Sequence, residues 1–159
     1  MSTEAAPAVA STGTGEWLAF CVDAQEYCID IQRVQEIRSF ETPTRIANAP
    51  TCVLGVIDLR GQIVPLLDVH HMLGVTPPDD MASLVVIFTF SQGKLFGLVV
   101  SSVSDVVTLG PEHIRPAPSL SDDASAHIAA LAKYGDRMLI LTHVDKLIRM
   151  SRGLVETAI

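Results

Sequence analysis

The sequence predicts an all-β chain folded as two similar small β-barrels, with a short helix at its C-terminal end. Three observations carry this expectation. Short runs that alternate, or that are rich in β-branched residues, recur along the chain, each bounded by turn residues. The two halves echo each other. Val34-Gln35-Glu36-Ile37 follows the first hairpin, and Val103-Ser104-Asp105-Val106 follows the second; Ile63–Leu73 and Met138–Ile148 both read strand-then-helix, with apolar positions matching at an offset of 75. Helical period emerges in His143–Met150, where Val144, Leu147 and Ile148 share a face.

The elements follow in order. Met1–Gly15 has little to bury and reads as a disordered tail. Trp17–Val22 and Tyr27–Ile31 form a hairpin about Ala24-Gln25, with Leu18, Phe20 and Val22 on one face. Gln32–Ile37 continues as a turn and strand, and Phe40–Pro50 is a loop punctuated by Pro43 and Pro50. Thr76–Met81, with Pro77-Pro78-Asp79-Asp80, is a natural link between halves. The second half opens with Leu84–Phe90, a turn at Gln92-Gly93, and Lys94–Val100; Val103–Leu109 is the next strand. Gly110–Ala124 reads as a polar loop. Ala126–Lys133 and Met138–Leu141 flank a turn at Tyr134-Gly135-Asp136, although Ala126–Lys133 also has helical propensity.

The segment Val53–Gly74, VLGVIDLRGQIVPLLDVHHMLG, is the most informative. It spells strand, tight turn, strand and one helical turn. Gly61 supplies the positive φ that a two-residue hairpin demands. Pro65 cannot donate to a ladder, so its strand lies at an edge or carries a bulge. Asp68 suits an N-cap and Gly74 a C′ position. Arg60 is then a cation on a rigid, hydrophobically anchored hairpin, where folding does not require one.

The chain has 159 residues, of which 48% are hydrophobic and only 5% aromatic, so the core is aliphatic; that length suits one ordinary domain or two small barrels sharing a core. A net charge of −7 argues against nucleic-acid or anionic-membrane binding, which leaves a basic footprint. Cys21, Cys28 and Cys52 lack metal-site spacing, and free thiols are expected; a Cys21–Cys28 bridge across the first hairpin is the geometric alternative. No signal peptide or membrane-length apolar run is present, so the expected location is the cytoplasm.

No catalytic motif stands out: there is no G-x-S-x-G, H-E-x-x-H, phosphate loop or G-x-G-x-x-G. Asp68, His70 and His71 are the best metal candidates, yet a cap explains Asp68, and the two histidines point apart on a single turn. The expectation is therefore a binding module without catalytic residues, metal or cofactor.

GVIDLRGQIVPLLDV closely resembles the signature of the CheW family, the coupling proteins of bacterial chemotaxis. YCIDIQRVQEIRSFETPTRIANAP, HIRPAP and GDRMLILTHVDKLI resemble the same family in the same order. The resemblance covers Trp17–Ile148 and implies two SH3-like five-stranded barrels. It implies a non-enzymatic adaptor that links chemoreceptors to the histidine kinase CheA, or a paralogue serving an array for surface motility or biofilm signalling. It places Val34 and Glu36 on a face that docks the regulatory domain of CheA, and Arg115 and Leu120 on a second kinase-contacting face that closes CheW and kinase into rings. It places Gly55, Arg60, Gly61 and Gly97 in the receptor-coupling region, whose partner is the tip of a helical hairpin. Gly97 also reads as a bulge or close backbone approach. Leu120 stands where members of the family can carry an aromatic, and Asp58 where they often have Asn; the added acid is placed to pair with Arg60 or to alter its field.

The implied organisation is a tail over 1–15 and one domain over 16–150. Its two barrel subdomains meet near 76–83 or intertwine, and a C-terminal tail follows over 151–159. Recruitment to membrane-associated arrays, without membrane insertion, completes the expectation.

Overall fold

The computed structural model describes residues 15–117 and 127–158. Eleven strands are described among them: β1 (Gly15–Val22), β2 (Gln25–Asp30), β3 (Val34–Ser39), β4 (Val53–Leu59), β5 (Gln62–Asp68), β6 (Val85–Ser91), β7 (Lys94–Val100), β8 (Ser102–Leu109), β9 (Ile114–Arg115), β10 (Ile128–Tyr134) and β11 (Arg137–Thr142). Helix α1 (Val69–Met72) follows β5, and α2 (Val144–Ala158) follows β11.

The strands form two sheets, ordered β8-β1-β2-β11-β10-β9 and β3-β6-β7-β5-β4. Aligned position by position, the two orders reveal how the duplication folds. Each repeat is a hairpin followed by three main strands and a helix, and each sends its hairpin into the other repeat's sheet. Thus β1–β2 sits among β8, β10 and β11, while β6–β7 sits among β3, β4 and β5. The one parallel pairing in each sheet repeats too: β5 runs beside β7 with Leu66 opposite Gly97, and β11 runs beside β2 with Leu141 opposite Cys28. The subdomains are therefore intertwined. Residues 76–83 join β5 and α1 to β6 within one sheet and do not divide the barrels; the chain crosses between sheets after β2 and after β7.

Three apolar clusters fix this arrangement. Trp17, Ala19, Cys28, Val107, Leu109, Ala132, Leu139 and Leu141 pack together inside the first sheet. Ile57, Leu59, Val64, Leu66, Val86, Phe88 and Val99 do the same inside the second. A sheet that sets most of its strands around one private cluster has to curl around it. The third cluster lies between the sheets and includes Leu18, Phe20, Val22, Leu67, Ile87, Leu98 and Leu147. The shared face of Leu18, Phe20 and Val22 thus becomes the seam between barrels.

Several local expectations hold with shifts. The first hairpin turns on Asp23-Ala24, one residue early, with Asp23 at φ 58; Asp tolerates that region well. Asp68 caps α1 by accepting from the His70 amide, and Gly74 takes φ 77 just beyond it. Residues 128–134 form a strand, because tertiary pairing with β11 overrides their helical propensity. Within 110–117 the expected loop contains a 3₁₀ turn (Pro111–His113) and β9. Helix α2 runs on to Ala158, past the predicted end at Met150. No proline follows Met150, and Gly153 alone costs only ~1 kcal/mol. All three cysteines are free; Cys21 lies opposite Glu26, and Cys28 opposite Ala19.

Candidate functional site

The Arg60 hairpin forms as its sequence dictates. Leu59 pairs with Gln62 and leaves a two-residue loop, Arg60-Gly61, with φ values of 51 and 86. Both residues are left-handed, as a type I′ turn requires. Glycine accepts this freely, whereas an arginine with its Cβ does so at a cost. Asp58 does not pair with Arg60. Its Oδ1 accepts the Gly61 N–H at 2.7 Å.

Arg60 reaches instead across the barrel opening. Its Nη2 donates to Glu36 Oε1 at 2.6 Å and its Nη1 to Oε2 at 3.3 Å. Glu36 stands on β3, at one end of the sheet order, and β4 stands at the other. The two-pronged ion pair therefore ties together the two edges of the curled sheet. The guanidinium beside Glu36 holds its carboxyl below the ordinary value, and Glu36 in turn raises Arg60. Arg38 Nε adds a longer contact to Glu36 Oε2 at 3.7 Å.

Val34 begins the same strand, and a register shift between Val34 and Glu36 leaves Gln35 unmatched on β6. Val34 is half-buried against the inter-barrel cluster. Glu36 and Val34 thus connect the hairpin to the seam. Beside the hairpin, Ile63 is 63% exposed and borders a cavity of about 190 Å³ with Gln62, Pro65, Lys94, Leu95 and Phe96. The cavity opens because β5 meets β7 only from Leu66 onward. Pro65, which has no N–H to give, falls just before that pairing, so its strand is interior in the sheet yet unpaired on this side at Pro65.

Gly55 and Gly97 lie elsewhere. Gly55 is buried at φ 144, and a Cβ there would collide with the Thr44 carbonyl, whose residue is bridged to Val56 across β4. Gly97 is buried in the barrel interior, where a Cβ would lie 2.5 Å from Leu66 and 2.9 Å from Val86. The β6–β7 register runs through Gly97 without a shift, so close approach, not a bulge, explains this glycine. Both glycines shape the barrel that carries the hairpin.

Arg115 belongs to the first sheet. It sits on β9 opposite Leu131, exposed, with Nη1 donating to the carbonyls of Glu112 and Ile114. Leu120 lies outside the described residues.

One constellation escaped sequence reasoning, although the internal duplication pointed to it. Arg137 opens β11, which answers to β5 in the other barrel. It is held by Glu26 at 2.8 Å and by Asp105 at 2.9 Å, with its guanidinium 5.8 Å from the Tyr134 ring centre. Asp105 answers to Glu36 in the repeat. The exposed aliphatics match as well: Ile37 with Val106, and Ile63 with Met138. Each barrel thus carries an arginine at a hairpin, an acid on an edge strand and two exposed aliphatic residues.

The Asp68–His70 pair is a buried latch. His70 is fully buried; its Nδ1 lies 3.0 Å from Asp68 Oδ1, and its Nε2 lies 2.7 Å from Ser101 Oγ. Both ring nitrogens are engaged by protein, which leaves neither for a metal. His71 is exposed on the other side of the turn. Among the described residues no group of three or more His, Cys, Asp or Glu side chains is placed to hold a metal ion. Among those residues, too, no helix is long and apolar enough to cross a membrane.

Comparison with known proteins agrees with this geometry. The family model of the CheW-like domain matches residues 16–152. The chain is 42% identical over 137 residues to the chemotaxis protein CheW of Klebsiella aerogenes, covering 84% of this chain and 81% of that one. It is 36% identical over 136 residues to the probable chemotaxis protein CheW of Rhizobium etli, covering 85% and 88%. The crystal structure of the scaffolding protein TtCheW from Thermoanaerobacter tengcongensis superposes with a TM-score of 0.77 at 26% identity, covering 84% of this chain and 91% of that one. Two curled sheets with exchanged hairpins, and a sequence match across nearly all of both, lead to one conclusion: the chain belongs to the CheW family of chemotaxis adaptor proteins.

Proposed function

We propose that this chain is a non-enzymatic adaptor that couples chemoreceptors to the histidine kinase CheA. One surface takes the receptor's helical signalling tip, and others take the kinase regulatory domain. The observation that carries the proposal is the Arg60–Glu36 ion pair. Family resemblance assigns Arg60 to receptor coupling and Glu36 to kinase contact. Here they share two hydrogen bonds, and Val34 on the same strand roots the pair in the seam between barrels.

Coupling is differential binding: the adaptor contacts receptor and kinase differently in the signalling-on and signalling-off states. A shared ion pair offers a direct physical link, because a partner that draws Arg60 away frees the Glu36 carboxylate for the other partner. Gly61 makes the turn that presents Arg60. Gly55 and Gly97 keep the barrel in the shape that holds it. Family resemblance assigns Arg115 and Leu120 to the second kinase contact, the one that supports rings with CheA. The adaptor works in the cytoplasm, recruited to membrane-associated receptor arrays, and takes no nucleic acid, metal or cofactor.

The test is CheA autophosphorylation in a mixture with receptor signalling fragments, with and without this protein. Activation that depends on the chain and is reversed by attractant supports the reading. Absence of any binding to kinase or receptor overturns it.

A further inference from the structure

We propose that Asp58 is the positioning residue of the site: it fixes the turn from which Arg60 reaches Glu36. This deepens the proposed function and rests on it for the role of Arg60 in coupling, although the geometry stands by itself. The first residue of a type I′ loop sits in the left-handed region, where Asn, Asp and Gly are favoured. Arg60 occupies that position at φ 51. An arginine brings a Cβ and has no short side-chain acceptor to hold its own backbone there. Non-glycine residues persist in such conformations only where their surroundings over-determine them.

Asp58 supplies the local part of that determination. It stands on β4 opposite Ile63, one pair back from the loop, and its Oδ1 accepts the Gly61 N–H at 2.7 Å. A charge-assisted bond to a backbone N–H is among the stronger kinds. It pins the second residue of the loop and so fixes the Cα–Cβ direction of the first. The consequence is felt at the far end of the Arg60 side chain. Its two bonds to Glu36 span the gap between opposite edges of the sheet. Two-pronged geometry tolerates little misdirection, so a turn that relaxes toward negative φ swings the guanidinium off the carboxylate. Asp58 thus acts on Glu36 through Arg60, without touching either side chain.

The role divides into a hydrogen bond, which an Asn oxygen also accepts, and a charge, which Asn lacks. Asp58→Asn and Asp58→Ala remove the same charge, and only the second removes the acceptor. The experiment is a carbon-13 NMR titration of the Glu36 carboxyl in the full chain, with neither receptor nor kinase present. In Asp58→Asn the Glu36 midpoint stays depressed, as in the parent. In Asp58→Ala it moves up toward the ordinary glutamate value, because the arginine that held it down has moved away. Identical titrations in the two variants overturn the proposal. Amide hydrogen exchange of Gly61 in the unmodified protein is a second measurement that needs no variant to fold. Protection is expected, and exchange at the free-peptide rate overturns the proposal. Since no partner enters either experiment, failure here is distinct from failure of the kinase assay.

Discussion

Arg60 Nη2 lies 2.6 Å from Glu36 Oε1, so the tip of the β4–β5 hairpin is tied to the opposite edge of its own sheet. The arginine achieves this from a backbone conformation that disfavours it, at φ 51. Function and stability should therefore separate at this position. Arg60→Asn and Arg60→Gly relieve the backbone and should leave Tm unchanged or raise it by roughly 2–4 °C in a scanning calorimeter. Both should lower receptor-coupled control of the kinase. Arg60→Ala keeps a Cβ, so its Tm should stay near the parent value while coupling falls. A large drop in Tm for Arg60→Gly would mean that the ion pair holds the barrel shut and that its role is structural.

Gly55 and Gly97 should behave in the opposite way. Gly55→Ala combines a φ of 144 with a collision against the Thr44 backbone. It should cost about 3 kcal/mol or more in urea unfolding. Gly97→Ala overpacks against Leu66 and Val86, and should cost about 1–3 kcal/mol. Any loss of coupling in these variants should follow the folded fraction and recover on cooling or with a stabilising osmolyte. Loss of coupling at full folded population would show that the glycines contact a partner directly.

What was legible in the sequence was local. Gly61, Asp68 and Gly74 each announce a backbone conformation, and the structure places each as expected. Alternation at Leu18, Phe20 and Val22 gave the buried face, although the partner of that face, the second barrel, is a tertiary fact. The offset of 75 between the strand–helix units was visible, but the exchange of hairpins was not, because a hairpin pairs internally in the same way whichever sheet receives it. For that reason 76–83 looked like a boundary. Glu36 and Arg60 were each singled out, yet nothing in their spacing says that β3 and β4 meet around a barrel. Arg137 was missed because its partners, Glu26 and Asp105, come from both sides of that exchange.

The latch at His70 should be worth more than its exposed counterparts. Asp68 Oδ1 accepts the His70 amide and lies 3.0 Å from Nδ1, while Nε2 lies 2.7 Å from the Ser101 hydroxyl, an arrangement that suits a proton on Nδ1. Ser101 Oγ also accepts the Asp23 N–H at 3.0 Å, in the turn of the exchanged hairpin. The chain of bonds therefore joins α1 to the β1–β2 turn of the other sheet. His70→Ala removes a buried ring and orphans two partners, at a cost of roughly 2–4 kcal/mol. A double-mutant cycle with Ser101→Ala should give a coupling of ~0.5–3 kcal/mol. Additive losses, or a nitrogen-15 spectrum showing the proton on Nε2, would refute the latch.

Acid should unfold the protein in two stages. His127 is buried against Tyr27, their ring centres 6.3 Å apart, and burial pushes it down to about 4 from an ordinary 6.5. A histidine whose folded value is depressed stays neutral in the native state while the unfolded chain takes up a proton. Its cost is absent above 6.5 and grows as pH falls to about 4, reaching at most ~3 kcal/mol. His143, whose amide donates to the His127 carbonyl, is also lowered by burial and adds in the same direction. Glu26 and Asp105 are held down by Arg137, and Asp145 by Arg33. Their contribution is full above the ordinary carboxylate values and is lost only below them. Urea midpoints measured from pH 8 to pH 4 should therefore begin to fall near 6.5, before the carboxylates of Glu26, Asp105 and Asp145 protonate. His127→Phe keeps a ring against Tyr27 and has nothing to titrate, so it should flatten the upper part of that slope and leave the lower part intact. An unchanged slope in His127→Phe would move the early loss to His143, whose own variant should then abolish it.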